Sequence, residues 1–326
     1  MNKKVMITGV AGLIGSHLAE NLLSQGVEVY GFDVHDLDQT NNLKDIKDNI
    51  KFHYYKGDIK SEADIADFFQ SDATEIYHLA SVVGVNLYME DPLSLIDICV
   101  IGTRNLVSLC MKHNVRMLYT STSEVYGRNT DIPWNEDADR VLGATNVDRW
   151  SYSSAKALTE HILFGVHHST DWPMSIVRFF NVYGPRQNPI FLISKSIHRV
   201  LNDVQPELYD GGEQTRCFTY IDDVVEGLIA AANKDSALGQ VINLGNPVEI
   251  SMKEAMNIIL EESGSALVPI DVNTSERYGG VYEDIIRRVP DVAKAKELLN
   301  WEPSTDLRTG VKKIINWTES NSWYLN

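Results

Sequence analysis

An α/β fold, a doubly wound parallel sheet carrying a smaller discontinuous C-terminal lobe, is what this sequence predicts. Three observations predict it. Short apolar runs alternate with helical patterns through the first half, the first run passes directly into three evenly spaced glycines, and the second run ends on an acid. Val5-Met6-Ile7-Thr8 reads as a buried strand. Ile14, Leu18 and Leu22 then recur every four residues, the spacing of one helix face. Val27–Phe32 is a second strand that closes on Asp33. Further strands are predicted at Lys51–Tyr55, Glu75–Leu79, Met117–Thr120, Ser175–Phe179 and Val241–Leu244, with helical patterns between most of them. After Asn181 the rhythm changes. Residues 1–180, with 220–250 returning to them, are expected to form the sheet domain, and the loop-rich stretches 181–219 and 251–326 the lobe. Ser251-Met252-Lys253-Glu254 has the capping-box pattern that starts a helix.

Composition narrows the function. The chain has 326 residues and a formal net charge of -16, which argues against a nucleic-acid partner, because phosphate backbones need clustered Lys and Arg. Cys99, Cys110 and Cys217 are scattered, with neither metal-ligand nor redox spacing, so no metal is expected and a reducing, cytoplasmic setting is. No apolar stretch reads as long enough to cross a bilayer, and no membrane partner is expected. Lys3 and Lys4 before an apolar run imitate an export signal, but glycines interrupt that run and His17 and Glu20 follow it.

Gly9-Val10-Ala11-Gly12-Leu13-Ile14-Gly15 lies between the first strand and the first helix. A glycine triplet alone is a tight turn. Here the first glycine permits the turn, the second lets backbone approach a pyrophosphate, and the third lets helix pack on strand. The helix N-terminus, opened by Leu13 and Ile14, offers N–H groups to the phosphates. Asp33 stands about twenty residues on, where a carboxylate bonds an adenosine ribose and disfavours a 2′-phosphate. The expected cofactor is therefore NAD on a Rossmann-like domain. Asp58 and Ile59, after the third strand, are expected beside the adenine.

Tyr152-Ser153-Ser154-Ala155-Lys156 puts a phenol and an ammonium on one helix face. Positive charge nearby favours the phenolate, which can take a proton from a hydroxyl while hydride leaves the same carbon. Upstream, Leu118–Gly127 contains Thr122-Ser123-Glu124. Together with the Gly-x-x-Gly-x-x-Gly spacing, these pieces resemble the extended short-chain dehydrogenase/reductase superfamily, and within it the NAD-dependent nucleotide-sugar epimerases, dehydratases and decarboxylases. The resemblance implies a Thr122–Tyr152–Lys156 triad. It places Leu79, Ala80 and Ser81, in His78-Leu79-Ala80-Ser81, along the cofactor. It sets Asn181, in Arg178–Arg186, and Arg216, in Asp210–Asp223, at the ligand diphosphate. Arg288, in Arg288-Val289-Pro290-Asp291, is implied as a diphosphate or sugar contact. It also implies a homodimer that pairs helices over Pro92–Lys112 and Tyr152–His167.

The resemblance further implies transient oxidation, at C4, of a nucleotide-linked sugar, UDP-linked because most similar enzymes use UDP. Val83-Gly84-Val85 and Arg149-Trp150-Ser151-Tyr152-Ser153 resemble epimerases, and epimerisation is the first expectation. Glu124 opens an alternative, since a carboxylate there can serve C5 chemistry in a UDP-glucuronate decarboxylase or a dehydratase. Ser123 stands where the dTDP-glucose type of dehydratase carries an aspartate acid, which counts against that reaction. A cofactor-sensing protein without catalysis would not need both Tyr152 and Lys156. A hydroxysteroid or dihydroflavonol reductase would have less need of Asn181, Arg216 and Arg288.

Overall fold

The computed structural model of the chain describes residues 3–70, 72–84, 90–273, 285 and 287–325. Val85, the end of one epimerase-like piece, lies outside the described residues, as does most of 274–286 in the expected lobe. Seven strands form one parallel sheet: β1 (Lys4–Thr8), β2 (Glu28–Asp33), β3 (Phe52–Lys56), β4 (Glu75–His78), β5 (Arg116–Thr122), β6 (Met174–Phe179) and β7 (Val241–Leu244). Their order is β7-β6-β5-β4-β1-β2-β3. Every strand expected from the sequence is present, with ends moved by a residue or two. β5 runs on to Thr122 because Ser121 and Thr122 still pair with Arg178 and Phe179.

Both faces of the sheet are covered, which is why its strands read as unbroken apolar runs. Side chains alternate across it. Val5 and Ile7 join a cluster with Leu18 and Leu22 of α1 (Leu13–Ser24), while Met6 joins another with Phe68 of α2 (Glu62–Phe68), Leu106 and Cys110 of α3 (Pro92–His113) and Leu163 of α4 (Ser151–Thr170). The first cluster continues without a break into α5 (Leu192–Leu201), α6 (Ile221–Asn233), α7 (Met252–Glu262), α8 (Ala293–Leu299) and α9 (Leu307–Glu319), through Ile193, Val224, Ile258, Leu299 and Ile314. Ser251 caps α7 by accepting from the Glu254 N–H. The loop-rich stretches contain three small strand pairs: Val182–Tyr183 with Thr219–Tyr220, Thr215–Cys217 with Glu249–Ser251, and Glu207–Tyr209 with Ile270–Val272.

One expectation needs correction. α3 is long and apolar enough, by length and composition, to cross a membrane. Asp97, Thr103 and Arg104 disguise the run in the sequence. Its Leu95, Cys99, Leu106, Val107 and Cys110 are buried in the fold, so the apolar character serves a layer packed on the sheet and α4. A π turn over Ile98–Gly102 interrupts α3 where Gly102 meets Ile59; a Cβ on Gly102 would stand 2.7 Å from that side chain.

Candidate active site

The strand order reverses between β1 and β4, and the crevice at such a point is where open α/β sheets hold ligands. The glycine turn lies there. Gly9 has φ +72, and a Cβ on it would meet the Ala80 nitrogen at 2.8 Å, so only glycine brings the turn against the end of β4. A Cβ on Gly15 would meet the Gly9 carbonyl oxygen at 2.3 Å, which fixes how closely α1 packs on the turn. Gly12 is the N-cap of α1 and supplies no side-chain cap, leaving the first-turn N–H groups of Leu13, Ile14 and Gly15 for an anion. At the end of β2 the Asp33 carboxylate accepts from the Ala11 N–H at 2.9 Å and pairs with His35 Nδ1 at 2.7 Å. It holds the turn and keeps one oxygen at the exposed His35. These residues fit a dinucleotide.

The other expected cofactor residues divide. Asp58 is half exposed and accepts from the Lys60 N–H, so its carboxylate is open to solvent. The Ile59 side chain is buried in the core against Gly102, so its backbone is the part left for a cofactor. Leu79, Ala80 and Ser81 are partly exposed at the end of β4. Beneath them, Ala80 N–H donates to Thr8 Oγ1, Thr8 bonds His78 Nδ1 at 2.7 Å, His78 Nε2 bonds Thr103 Oγ1 at 2.9 Å, and Thr103 donates to the Cys99 carbonyl. Read from its two fixed ends, this chain puts the His78 proton on Nε2. Burial pushes His78 down to about 3, so it stays neutral and structural.

Tyr152 and Lys156 lie on one buried face of α4. Tyr152 packs with Leu95, Cys99 and Ala155. Lys156 Nζ donates to the Thr120 carbonyl at 2.9 Å and stands 6.0 Å from the Tyr152 ring centroid and 4.8 Å from that of Tyr119. Burial lowers the pKa of its ammonium. Thr122 ends β5 and caps the short turn Ser123–Tyr126 by accepting from the Glu124 N–H. The next residue, Ser123, is buried.

Glu124 is held in a clamp. Arg288 Nη1 reaches its Oε1 at 2.5 Å and Arg149 Nη1 its Oε2 at 2.7 Å, all three residues being buried. Burial alone would raise the carboxyl pKa, but the two guanidiniums overcome it and hold it at about 2, against an ordinary 4.5. Arg288 Nε is buried with no acceptor among the described residues. The sequence reading gave Arg149 as part of a motif before Tyr152 but not as a site residue. A folded-state pKa below the unfolded one stabilises the fold above about 4.5, and that contribution is lost as pH falls toward 2. Glu124→Gln is therefore expected to remove this component from the pH dependence of the urea midpoint. Parallel profiles for the two proteins would refute the clamp.

The remaining expected contacts lie together. Asn181, at φ +32, donates through Nδ2 to the Cys217 carbonyl at 3.3 Å. Arg216 precedes Cys217 on the same short strand, and its Nη1 donates to the Thr215 carbonyl at 2.8 Å. Arg287, beside Arg288, forms a forked pair with Glu249 on the partner strand at 2.6 and 2.7 Å. That pair ties the Arg288 segment to the Arg216 strand.

Comparison with known proteins places the chain in a family. The model of the GDP-mannose 4,6 dehydratase family matches residues 6–314. The chain is 35% identical over 327 residues to a UDP-N-acetyl-alpha-D-glucosaminuronate decarboxylase of Bacillus cytotoxicus, covering 97% of this chain and 98% of the relative. It is 32% identical over 318 residues to UDP-glucuronic acid decarboxylase 1 of Arabidopsis thaliana, covering 96% of this chain and 69% of that one. Among solved structures, a tyrosine-to-phenylalanine mutant of the Bacillus cereus UDP-glucuronic acid 4-epimerase, in complex with UDP-4-deoxy-4-fluoro-glucuronic acid and NAD, superposes with a TM-score of 0.87 at 28% identity, covering 98% of this chain and 99% of that one.

Proposed function

The chain belongs to the GDP-mannose 4,6 dehydratase family, within the extended short-chain dehydrogenases/reductases that use NAD on nucleotide-linked sugars, and we propose that it decarboxylates a UDP-linked hexuronate. One observation carries the choice: Glu124 lies buried between two arginines. A carboxylate held near pKa 2 is a poor base for a C5 proton, which counts against dehydration. The cluster of Arg149, Arg288 and Glu124 carries one net positive charge, and Arg288 Nε still has a buried N–H to give. That arrangement suits a carboxylate on C5. Of the two roles expected for Arg288, its place beside the Thr122 turn supports the sugar end. The relatives of known activity at 35% and 32% identity are decarboxylases of uronates.

Gly9, Gly12, Gly15, Asp33 and the residues around Leu79–Ser81 would hold NAD, which would supply a hydride acceptor and donor for the C4 carbon. Tyr152 Oη takes the proton of the C4 hydroxyl, and the Lys156 ammonium favours the phenolate electrostatically. Thr122 bonds the same oxygen. Once C4 is a ketone, the C5 carboxylate belongs to a β-keto acid. Its C5–C6 bond breaks, carbon dioxide leaves, and the electron pair moves into the C4 carbonyl. Tyr152, now protonated, hydrogen-bonds the developing enolate oxygen. Asn181 and Arg216 are assigned to the diphosphate.

Epimerisation, the first expectation from sequence, is the second reading, supported by the likeness to the UDP-glucuronic acid 4-epimerase. Both readings take a uronate, so product analysis separates them. Incubated with UDP-glucuronate, UDP-N-acetylglucosaminuronate and UDP-glucose, the protein should convert a uronate with loss of carbon dioxide and leave UDP-glucose unchanged. A product of unchanged mass and inverted C4 would establish epimerisation instead. The buried free thiols of Cys99, Cys110 and Cys217 support a cytoplasmic, reducing setting. Exposed Leu93, Ile96 and Ile101 on α3 and Leu158 on α4 support a homodimer through these helices.

A further inference from the structure

The Arg178 guanidinium makes four hydrogen bonds, all to buried residues of the fold. On β6, its Nε and Nη2 fork onto Glu160 at 3.0 and 2.6 Å, and its Nη1 bonds both Tyr126 Oη at 2.8 Å and the Glu136 carbonyl at 2.9 Å. Glu160 Oε1 also accepts from Ser121 Oγ at 2.5 Å. Tyr126 donates to Asn243 Oδ1 at 2.8 Å, and Asn243 Nδ2 holds the Trp134 carbonyl at 2.9 Å. All these side chains are buried.

Buried ion pairs add little to stability on average, because desolvation offsets their attraction. What this one does is geometric. Glu160 lies one turn beyond Lys156 and two beyond Tyr152, on the same stretch of α4. Ser121 precedes Thr122, and Tyr126 closes the turn that carries Ser123 and Glu124. One planar guanidinium therefore joins the helix of Tyr152 and Lys156 to the turn of Glu124, and Glu160 carries the link on to Ser121 beside Thr122. We propose that Arg178, with Glu160 and Ser121, is a positioning unit that sets the distance between the proton-transfer pair and the Thr122–Glu124 turn. The proposal rests on the catalytic reading above.

A lysine keeps the charge but cannot supply the fork and a third direction at once. Arg178→Lys is expected to lower kcat on the order of 10²-fold, the cost of a misplacement of about 1 Å, while KM for the UDP-hexuronate and retained NAD stay as in wild type. Ser121→Ala removes one bond and leaves the ion pair, and is expected to lower kcat by roughly tenfold with the same unchanged KM. If the lysine variant does not fold, Ser121→Ala decides. A merely structural role would lower melting temperature and the yield of folded enzyme but leave kcat per folded molecule untouched. Wild-type kcat in a folded variant, or a loss confined to KM and NAD content, overturns the proposal. Tyr152→Phe run in parallel separates the two claims: an inactive Tyr152→Phe beside a fully active Arg178→Lys sinks the positioning unit alone, whereas an active Tyr152→Phe sinks the catalytic reading.

Discussion

Tyr152→Phe should lower kcat by about 10³-fold with little change in KM, the middle of the range for losing a positioned acid–base group. The expectation follows from what the substitution leaves behind. The ring remains packed on Leu95, Cys99 and Ala155, so the shape of the site persists. Lys156 stays bonded to the Thr120 carbonyl, and the glycine turn is untouched. Only the oxygen proposed to accept the C4 proton is gone. Neighbouring oxygens offer poor replacements, since Thr122 is a hydroxyl of ordinary basicity already bonded by the Glu124 N–H. Steady-state kinetics with a UDP-hexuronate, together with UDP binding by fluorescence quenching, checks the split. A variant that turns over within a few-fold of wild type would remove Tyr152 from the mechanism.

Arg288→Met is expected to lower kcat/KM for the uronate by about 10²-fold, in line with a lost charge-assisted bond and a partner carboxylate left half paired. Methionine fills much of the volume but leaves Glu124 with Arg149 alone. The cluster then carries no net positive charge to receive a second carboxylate. Affinity for UDP itself should hold, since the diphosphate is assigned to Asn181 and Arg216. Arg288→Lys should fall between the two, because an ammonium restores the charge without the fork. Inhibition constants for UDP and for UDP-glucuronate separate the effects. Equal weakening of both ligands would show that Arg288 serves the diphosphate instead.

Much of the fold was legible because both sheet faces are buried, so each strand announces itself as an apolar run and each crossover as a helical stretch. The glycine spacing was legible for a different reason. Gly9 and Gly15 lie where a Cβ would strike backbone, and such positions leave the same trace wherever this turn is built. Local pairs such as Tyr152 and Lys156 could be read from helix geometry. The clamp could not. Glu124 and Arg288 are separated by 164 residues, and nothing in either neighbourhood announces the other. Arg149 read as part of a motif, and only folding shows that its guanidinium turns to Glu124. That the Ile59 side chain turns into the core was not legible either, because an apolar residue after a strand reads alike whether it faces a crevice or the core; Gly102 on α3 decides which. The two- and three-residue strands of the C-terminal stretches are too short to show a period.

In the proposed reaction C5 loses carbon dioxide rather than keeping its hydrogen and carboxylate. NMR of the product formed from UDP-glucuronate in deuterium oxide tests it directly. Decarboxylation must refill C5 from solvent, so the product should be a UDP-pentose with one deuterium at C5. A UDP-hexuronate inverted at C4, with protium still at C5, would contradict the account.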